Sequence, residues 1–194
     1  MDFLTLATLF QELENTASGN TMREILAEFL KKVPEEDIAV ICYLCLGQIA
    51  SEYEGEVLGM ADKSVLKSIA SAGGTDISKV QKIMTELGDA GLTAQKVLQH
   101  KPRTLVPVGK LTVQELFEKL HKIAQMSGSG SQDQRSNVII NLLQKSSPIE
   151  AKYVIRIALG TLRLGAGDMT LLDALAIAYT GDKSNKEILE KAYN

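Results

Sequence analysis

Apolar residues recur every three or four positions along most of the chain. Phe3-Leu6-Leu9-Phe10-Leu13, Ile25-Leu26-Phe29-Leu30 and Ile38-Ile41-Leu44-Cys45 each draw one stripe down a helix. The pattern returns in Val65-Leu66-Ile69, Val80-Ile83-Met84-Leu87, Val113-Leu116-Phe117-Leu120 and Ile139-Ile140-Leu143. Helix starts are signalled by capping-box spacing at Thr21…Glu24, Thr112…Glu115, Ser131…Gln134, Ser147…Glu150 and Ser184…Glu187. Pro148 follows Ser147, where a first-turn proline costs no hydrogen bond. Only the stretch from Arg103 to Val108, around Pro102 and Pro107, reads as extended. The expectation is an all-α single domain of about 10–12 short helices.

Part of the helical pattern is written twice. Leu58-Gly59-Met60-Ala61-Asp62 and the ten residues after it align with Leu164-Gly165-Ala166-Gly167-Asp168 and its continuation. Six of these fifteen positions are identical, against about one expected from ordinary composition. Upstream, Ile25, Phe29, Pro34, Glu36, Val40 and Ile41 match Ile139, Leu143, Pro148, Glu150, Val154 and Ile155 at one constant offset, and Leu9, Phe10 and Leu13 match Leu116, Phe117 and Leu120 after a gap. Residues 1–74 and 109–180 therefore read as two copies of one helical unit, with 75–108 inserted between them. Duplication can simply build core. A pseudo-two-fold pair also suits a pseudo-two-fold ligand, and duplex DNA is one.

Composition narrows the class. The chain has 194 residues, 45% hydrophobic and 23% charged, as in ordinary soluble proteins. No Trp, five Tyr and four Phe leave little for aromatic base-stacking platforms. The longest apolar run, Ile38 to Leu46, is too short to span a bilayer, and the Met1-Asp2-Phe3 start carries no secretory signature. A soluble intracellular domain is expected. Cys42 and Cys45 lack the second Cys or His pair of a zinc set and read as small hydrophobes on a helix, so no metal site is expected.

Charge is unevenly spread. Residues 1–100 hold 8 Lys and Arg against 15 Asp and Glu, whereas residues 101–163 hold 10 against 4. The net charge of −3 thus hides a basic stretch, which makes either a solvated helical surface or a positive face for phosphates. Two loops could use it. In Ser127-Gly128-Ser129-Gly130-Ser131, glycines let backbone amides converge just before a helix start, with Ser131 placed to cap it and Gln132 and Arg135 on the first turns. Free N–H groups and a positive dipole end bind phosphate. A flexible Gly/Ser connection is the other reading. The turn Leu162-Arg163-Leu164-Gly165-Ala166-Gly167-Asp168 carries one Arg, two glycines and a cap at Asp168, a geometry that admits a sugar-phosphate backbone or an Arg entering a minor groove. Its first-copy equivalent of Arg163 is Val57, so the halves differ electrostatically. No Walker loop, Gly-x-Ser-x-Gly or His-Glu-x-x-His occurs, so no catalytic residues are expected here.

On these residues the chain resembles the N-terminal DNA-binding domain of ATP-dependent DNA ligases, of the archaeal type, over essentially residues 1–194. The specific stretches are Ser127–Gln132, Glu150-Ala151-Lys152-Tyr153-Val154-Ile155-Arg156, Gly160-Thr161-Leu162-Arg163-Leu164-Gly165, Asp173-Ala174-Leu175-Ala176, Glu86-Leu87-Gly88-Asp89-Ala90-Gly91 and the ending Glu190-Lys191-Ala192-Tyr193-Asn194. The resemblance implies a helical, pseudo-two-fold clamp that holds duplex DNA through its minor groove around a nick, in replication, repair and recombination. It implies DNA contacts at Gly128, Ser129, Gly130, Ser131, Gln132 and Arg135, and at Arg163, Leu164 and Gly165. Near Ser18-Gly19-Asn20 the family tends to carry a basic residue, and here the nearest is Arg23.

The resemblance assigns ATP, Mg²⁺ and an adenylated lysine to partner nucleotidyltransferase and OB-fold domains. The Lys-x-Asp-Gly motif of that lysine does not occur in this sequence, which reads as an inactive fragment of a ligase. It implies a cytoplasmic, nucleoid-associated monomer. A sliding-clamp contact would fall on Pro102-Arg103-Thr104-Leu105-Val106, which lacks the aromatic residue such contacts use. The competing class is a helical protein–protein interaction scaffold. Convergence of Arg135, Arg163 and Lys152 on one face with both glycine loops would favour DNA over it.

Overall fold

The computed structural model describes residues 1–49, 58, 60–100, 109–181 and 191. Among them the expected all-α architecture takes the form of ten helices. These are α1 (Phe3–Glu14), α2 (Gly19–Leu30), α3 (Glu35–Cys45), α4 (Asp62–Gly73), α5 (Ile77–Leu87), α6 (Ala90–Leu98), α7 (Val113–Gln125), α8 (Ser131–Lys145), α9 (Pro148–Ala158) and α10 (Asp168–Thr180). The extended stretch expected at 103–108 and the helix start expected at Ser184 lie outside the described residues. So do Val57 and the Pro102–Val106 segment.

Caps fix several starts. Thr112 accepts from the Glu115 N–H, and at the start of α9 the Ser147 N–H donates to the Glu150 carboxylate at 2.7 Å. Three other starts differ from the sequence expectation. Ser18, and not Thr21, caps α2 by accepting from the Thr21 N–H. Gly130 and Gly167 occupy the caps expected at Ser131 and Asp168, which become the first helical residues. In each case the cap lies one to three residues ahead of the sequence signal, because an upstream serine or a glycine takes the cap position.

The apolar stripes meet in one core that runs from Phe3, Phe10 and Leu26 through Leu116 and Leu142 to Tyr153, Val154 and Ala174. Tyr153 packs edge-on to Phe10 at 5.2 Å between ring centres. Truncating a leucine such as Leu26, 1% exposed, costs about 2–5 kcal/mol, so the stripes decide stability. Cys45 is buried and Cys42 half-buried in α3, and burial pushes the Cys42 thiol up to about 11.

The helix pairings are reciprocal. α2 packs on α10 and α8 on α4, while α1 packs on α9 and α7 on α3. Where α1 and α7 begin, Asp2 and Thr112 form an antiparallel bridge. The Phe3 N–H donates to the Leu111 carbonyl at 2.8 Å and the Val113 N–H to the Met1 carbonyl at 3.0 Å. Each of α1–α4 thus leans on a member of α7–α10 rather than standing as a separate bundle. Helices α5 and α6 sit outside this exchange, with α6 laid closely along α9. Gly91 makes that approach possible, because a Cβ there would fall 2.6 Å from the Lys152 carbonyl oxygen. Among the described residues no helix is long and apolar enough to cross a membrane.

Candidate nucleic-acid interface

The serine–glycine loop ends α7 and starts α8. Ser127, Gly128, Ser129 and Gly130 are exposed, and Gly128 and Gly130 take φ of 87° and 85°. A Cβ at either would meet nothing within 4 Å, so backbone conformation and not crowding calls for glycine there. The Ser131 N–H donates to the Gly128 carbonyl at 3.3 Å. No side chain caps α8. Gln132 is exposed on the first turn beside Asp133, whose carboxylate already favours the positive end of the helix.

Arg135, one turn further on, is half-buried and committed within the fold. Its Nη1 donates to the Leu58 carbonyl at 3.3 Å and its Nη2 to the Met126 carbonyl. It thereby ties the entrance of the serine–glycine loop to Leu58, ahead of α4.

The second turn, Leu162 to Gly167, meets the other half in the same manner. Leu164 is buried, Arg163 is exposed, and Gly165 (φ 75°) stands against Met22 at the start of α2. Arg163, Thr161 and Gly165 form one wall of an open cleft of about 540 Å³, with Asn15, Thr16 and Met22 opposite. Arg23, next to Met22, is engaged by the buried Asp173 of α10 (Nε–Oδ2 2.8 Å) and by Asn20 Oδ1 (2.8 Å). The two predicted loops therefore belong to two junctions, each between the start of α2 or α8 and a turn of the opposite half.

Glu14, Asp89 and Arg156 also line the Arg163 cleft and belong to an ionic cluster. Glu14, at the end of α1, takes Lys152 Nζ at 2.6 Å, the Tyr153 hydroxyl at 3.0 Å and Arg156 Nη1. Arg156 also pairs with Asp89 at 3.1 Å, and Asp89 caps α6 by accepting from the Leu92 N–H at 2.6 Å. Burial, then the Glu14 charge and hydrogen bond, push the Tyr153 hydroxyl well above its ordinary range. Two carboxylates face two cations, so the cluster is neutral. The Thr161 N–H donates to the Arg156 carbonyl at 2.8 Å, which couples the cluster to the base of the Arg163 turn.

The structure does not bring Arg135, Arg163 and Lys152 to one exposed face, the arrangement that would favour DNA over the scaffold. Lys152 is 4% exposed and faces Glu14, Arg135 faces carbonyls, and Arg163 alone of the three is exposed. Elsewhere in the basic stretch, Lys119 and Lys145 converge on Glu115, and Lys110 pairs with Asp2. Much of the positive charge read from the sequence is therefore matched inside the fold. Glu14 and Asp89 join this site without being among the residues expected there. Asp89 carried a signal, as a polar residue between Gly88 and Ala90-Gly91, but Glu14 carried none. Among the described residues no His, Cys, Asp and Glu are grouped to hold a metal ion.

Comparison with known proteins settles the lineage. A family model described as DNA ligase N terminus matches residues 2–176. The chain belongs to the DNA ligase N-terminal family. Its relatives include a DNA ligase of Nitrosopumilus maritimus, 40% identical over 194 residues, and DNA ligase 2 of Thermofilum pendens, 40% identical over 200 residues. A probable DNA ligase of Aquifex aeolicus is 36% identical over 194 residues. Each match covers the whole of this chain and 33% of the relative, so the chain spans about a third of the length of these curated relatives. As a DNA ligase N-terminal domain, it presents two glycine-bearing turns, one with an exposed arginine, on a helical frame in which Arg135, Lys152 and Arg156 are engaged within the fold.

Proposed function

We propose that this ligase N-terminal domain holds duplex DNA, independently of sequence, through the minor groove on both sides of a nick. Gly128, Ser129, Gly130, Ser131 and Gln132 meet one stretch of sugar-phosphate backbone at the uncapped start of α8, and Arg163, Leu164 and Gly165 meet the other. Arg135 acts as a positioning residue that holds the first loop in place. The observation that carries this reading is the reciprocal placement of the two loops at junctions between α1–α4 and α7–α10. The same reciprocity supports reading residues 1–74 and 109–180 as a duplicated unit. Phosphate contacts from amides and one arginine supply affinity without sequence preference, which suits an enzyme that meets nicks anywhere. A preformed two-site grip also lowers the entropic cost of keeping both ends in register.

Sealing of 5′-phosphate/3′-hydroxyl breaks, with ATP and Mg²⁺, belongs in this reading to further domains of the kind its relatives possess. The Lys-x-Asp-Gly motif that the resemblance assigns to those domains does not occur in this sequence. The reading puts the protein on chromosomal DNA in the cytoplasm, as a monomer. Fluorescence anisotropy of a labelled nicked duplex at two salt concentrations tests it. Salt-sensitive binding that is stronger on nicked than on intact duplex is expected, and no binding at low salt overturns it. The scaffold alternative has one observation in its favour, the acid-rimmed groove between α1 and α2.

A further inference from the structure

Helices α1 and α2 run side by side and leave an open groove of about 730 Å³ between them. Its floor is apolar, made by Leu4, Leu9, Ile25 and Phe29, with Leu4 45% exposed. Its rim carries Glu12, Glu24 and Glu28 against Lys32. Lys31 is turned to Glu28 on its own helix, at 2.6 Å.

The hairpin of α7 and α8 closes the equivalent seam differently. There Glu115 on α7 receives both Lys119 of its own helix and Lys145 of α8, at 2.7 and 2.6 Å, which staples the two helices. Along the α1 side of the groove stand Thr5 and Thr8. Neither can form an ion pair, and Thr8 bonds back to the Leu4 carbonyl at 2.8 Å. The first hairpin therefore keeps an apolar seam open beside a rim in which Glu12, Glu24 and Glu28 outnumber Lys32.

We propose that this groove docks an amphipathic, lysine- or arginine-rich helix of a separate partner protein. An apolar floor rewards burial of leucine- or phenylalanine-sized side chains, and the carboxylate rim selects basic flanks. Nucleic acid is the wrong occupant, because three carboxylates repel phosphate and the floor offers it nothing. Helices of twelve residues give a seam of about 18 Å, room for roughly three turns of a docked helix. The groove shares no residue with the Arg163 cleft, which is lined by Leu13 to Thr16 at the other end of the same hairpin. Partner and DNA can then be held at once, and loss of one leaves the other intact.

Two synthetic three-turn peptides with the same leucine spacing, one with lysines and one with glutamates at every polar position, probe the groove of the isotope-labelled chain. The lysine peptide is expected to shift the amides of Leu4, Thr8, Ile25 and Phe29, with and without bound nicked duplex. The Glu12→Lys/Glu24→Lys double variant, surface-exposed and expected to keep its thermal midpoint, is expected to weaken that peptide at least tenfold while binding DNA no less well. Several results overturn the proposal. They are absence of shifts at α1 and α2, equal binding of the glutamate peptide, or equal binding by the variant. Dilution-dependent self-association competed by the lysine peptide would give the groove to a second copy instead. Failure of that peptide to bind when catalytic domains are joined in cis would give it to them.

Discussion

At the start of α8 the glycines face open space and the nearby arginine is turned inward. At the Leu162–Gly167 turn the arrangement is inverted, with Arg163 exposed and Gly165 pressed against Met22. The first loop offers backbone amides at a helix end, and the second offers a charged side chain on a cleft wall. Arg135 and Arg163 are equal in a count of charges. One is bound to carbonyls on both sides of a loop and the other is exposed, and only packing tells them apart.

The largest expected effect lies behind the second loop. Glu14→Ala removes the carboxylate that faces the buried Lys152 and Arg156, and leaving a buried cation without its partner costs about 3–5 kcal/mol. Urea denaturation should register that loss, together with weaker DNA binding through the Thr161–Arg163 turn. A loss below about 1 kcal/mol would mean that Asp89 suffices to compensate both cations, against the geometry described here.

Next comes the first loop. Arg135→Ala withdraws two donors from the Leu58 and Met126 carbonyls, expected to lower stability by about 1–2 kcal/mol. Gly130→Ala forces a side chain into left-handed backbone at the cap of α8, at about 1 kcal/mol. Thermal melts give both values. Duplex affinity is expected to fall in both variants, because the loop proposed to meet the DNA backbone is displaced. Unchanged affinity in Gly130→Ala would remove that loop from the interface.

The smallest effect concerns the staple between α7 and α8. Burial raises the Glu115 carboxyl, but hydrogen bonds and charge from Lys119 and Lys145 outweigh it and leave the group below the ordinary carboxylate range. Its contribution is complete above that range and fades as pH falls through the lowered value. Glu115→Gln should cost under about 1 kcal/mol at neutral pH and flatten the loss of stability in acid, read from melts between neutral and acidic buffer. An unchanged acid slope would show that the staple contributes nothing.

The periodic apolar stripes made α1 to α5, α7 and α8 legible, because burial on a helix repeats along the chain whatever lies opposite, whereas α6 carried no such stripe. Thr112 and Ser147 were legible as caps for a similar reason, since cap and partner stand three residues apart. Gly130 and Gly167 were not, because a glycine cap gives no side-chain signal and the next polar residue attracts the assignment. Lys152 read as surface charge because Glu14, which makes its burial tolerable, lies 138 residues away. The inward turn of Arg135 was hidden likewise, as its carbonyl partners belong to backbone 77 and 9 residues distant. Long-range electrostatic pairing, unlike periodicity, leaves no local trace.

The contrast between the two arginines gives the most direct measurement. Anisotropy of a labelled nicked duplex across a salt series compares the parent chain with Arg163→Ala and Arg135→Ala. Loss of one phosphate contact should reduce the slope of log affinity against log salt by about 0.9 in Arg163→Ala, with stability unchanged. Arg135→Ala should weaken binding with the slope preserved. A preserved slope in Arg163→Ala, or a reduced one in Arg135→Ala, would contradict the division of labour between the two loops.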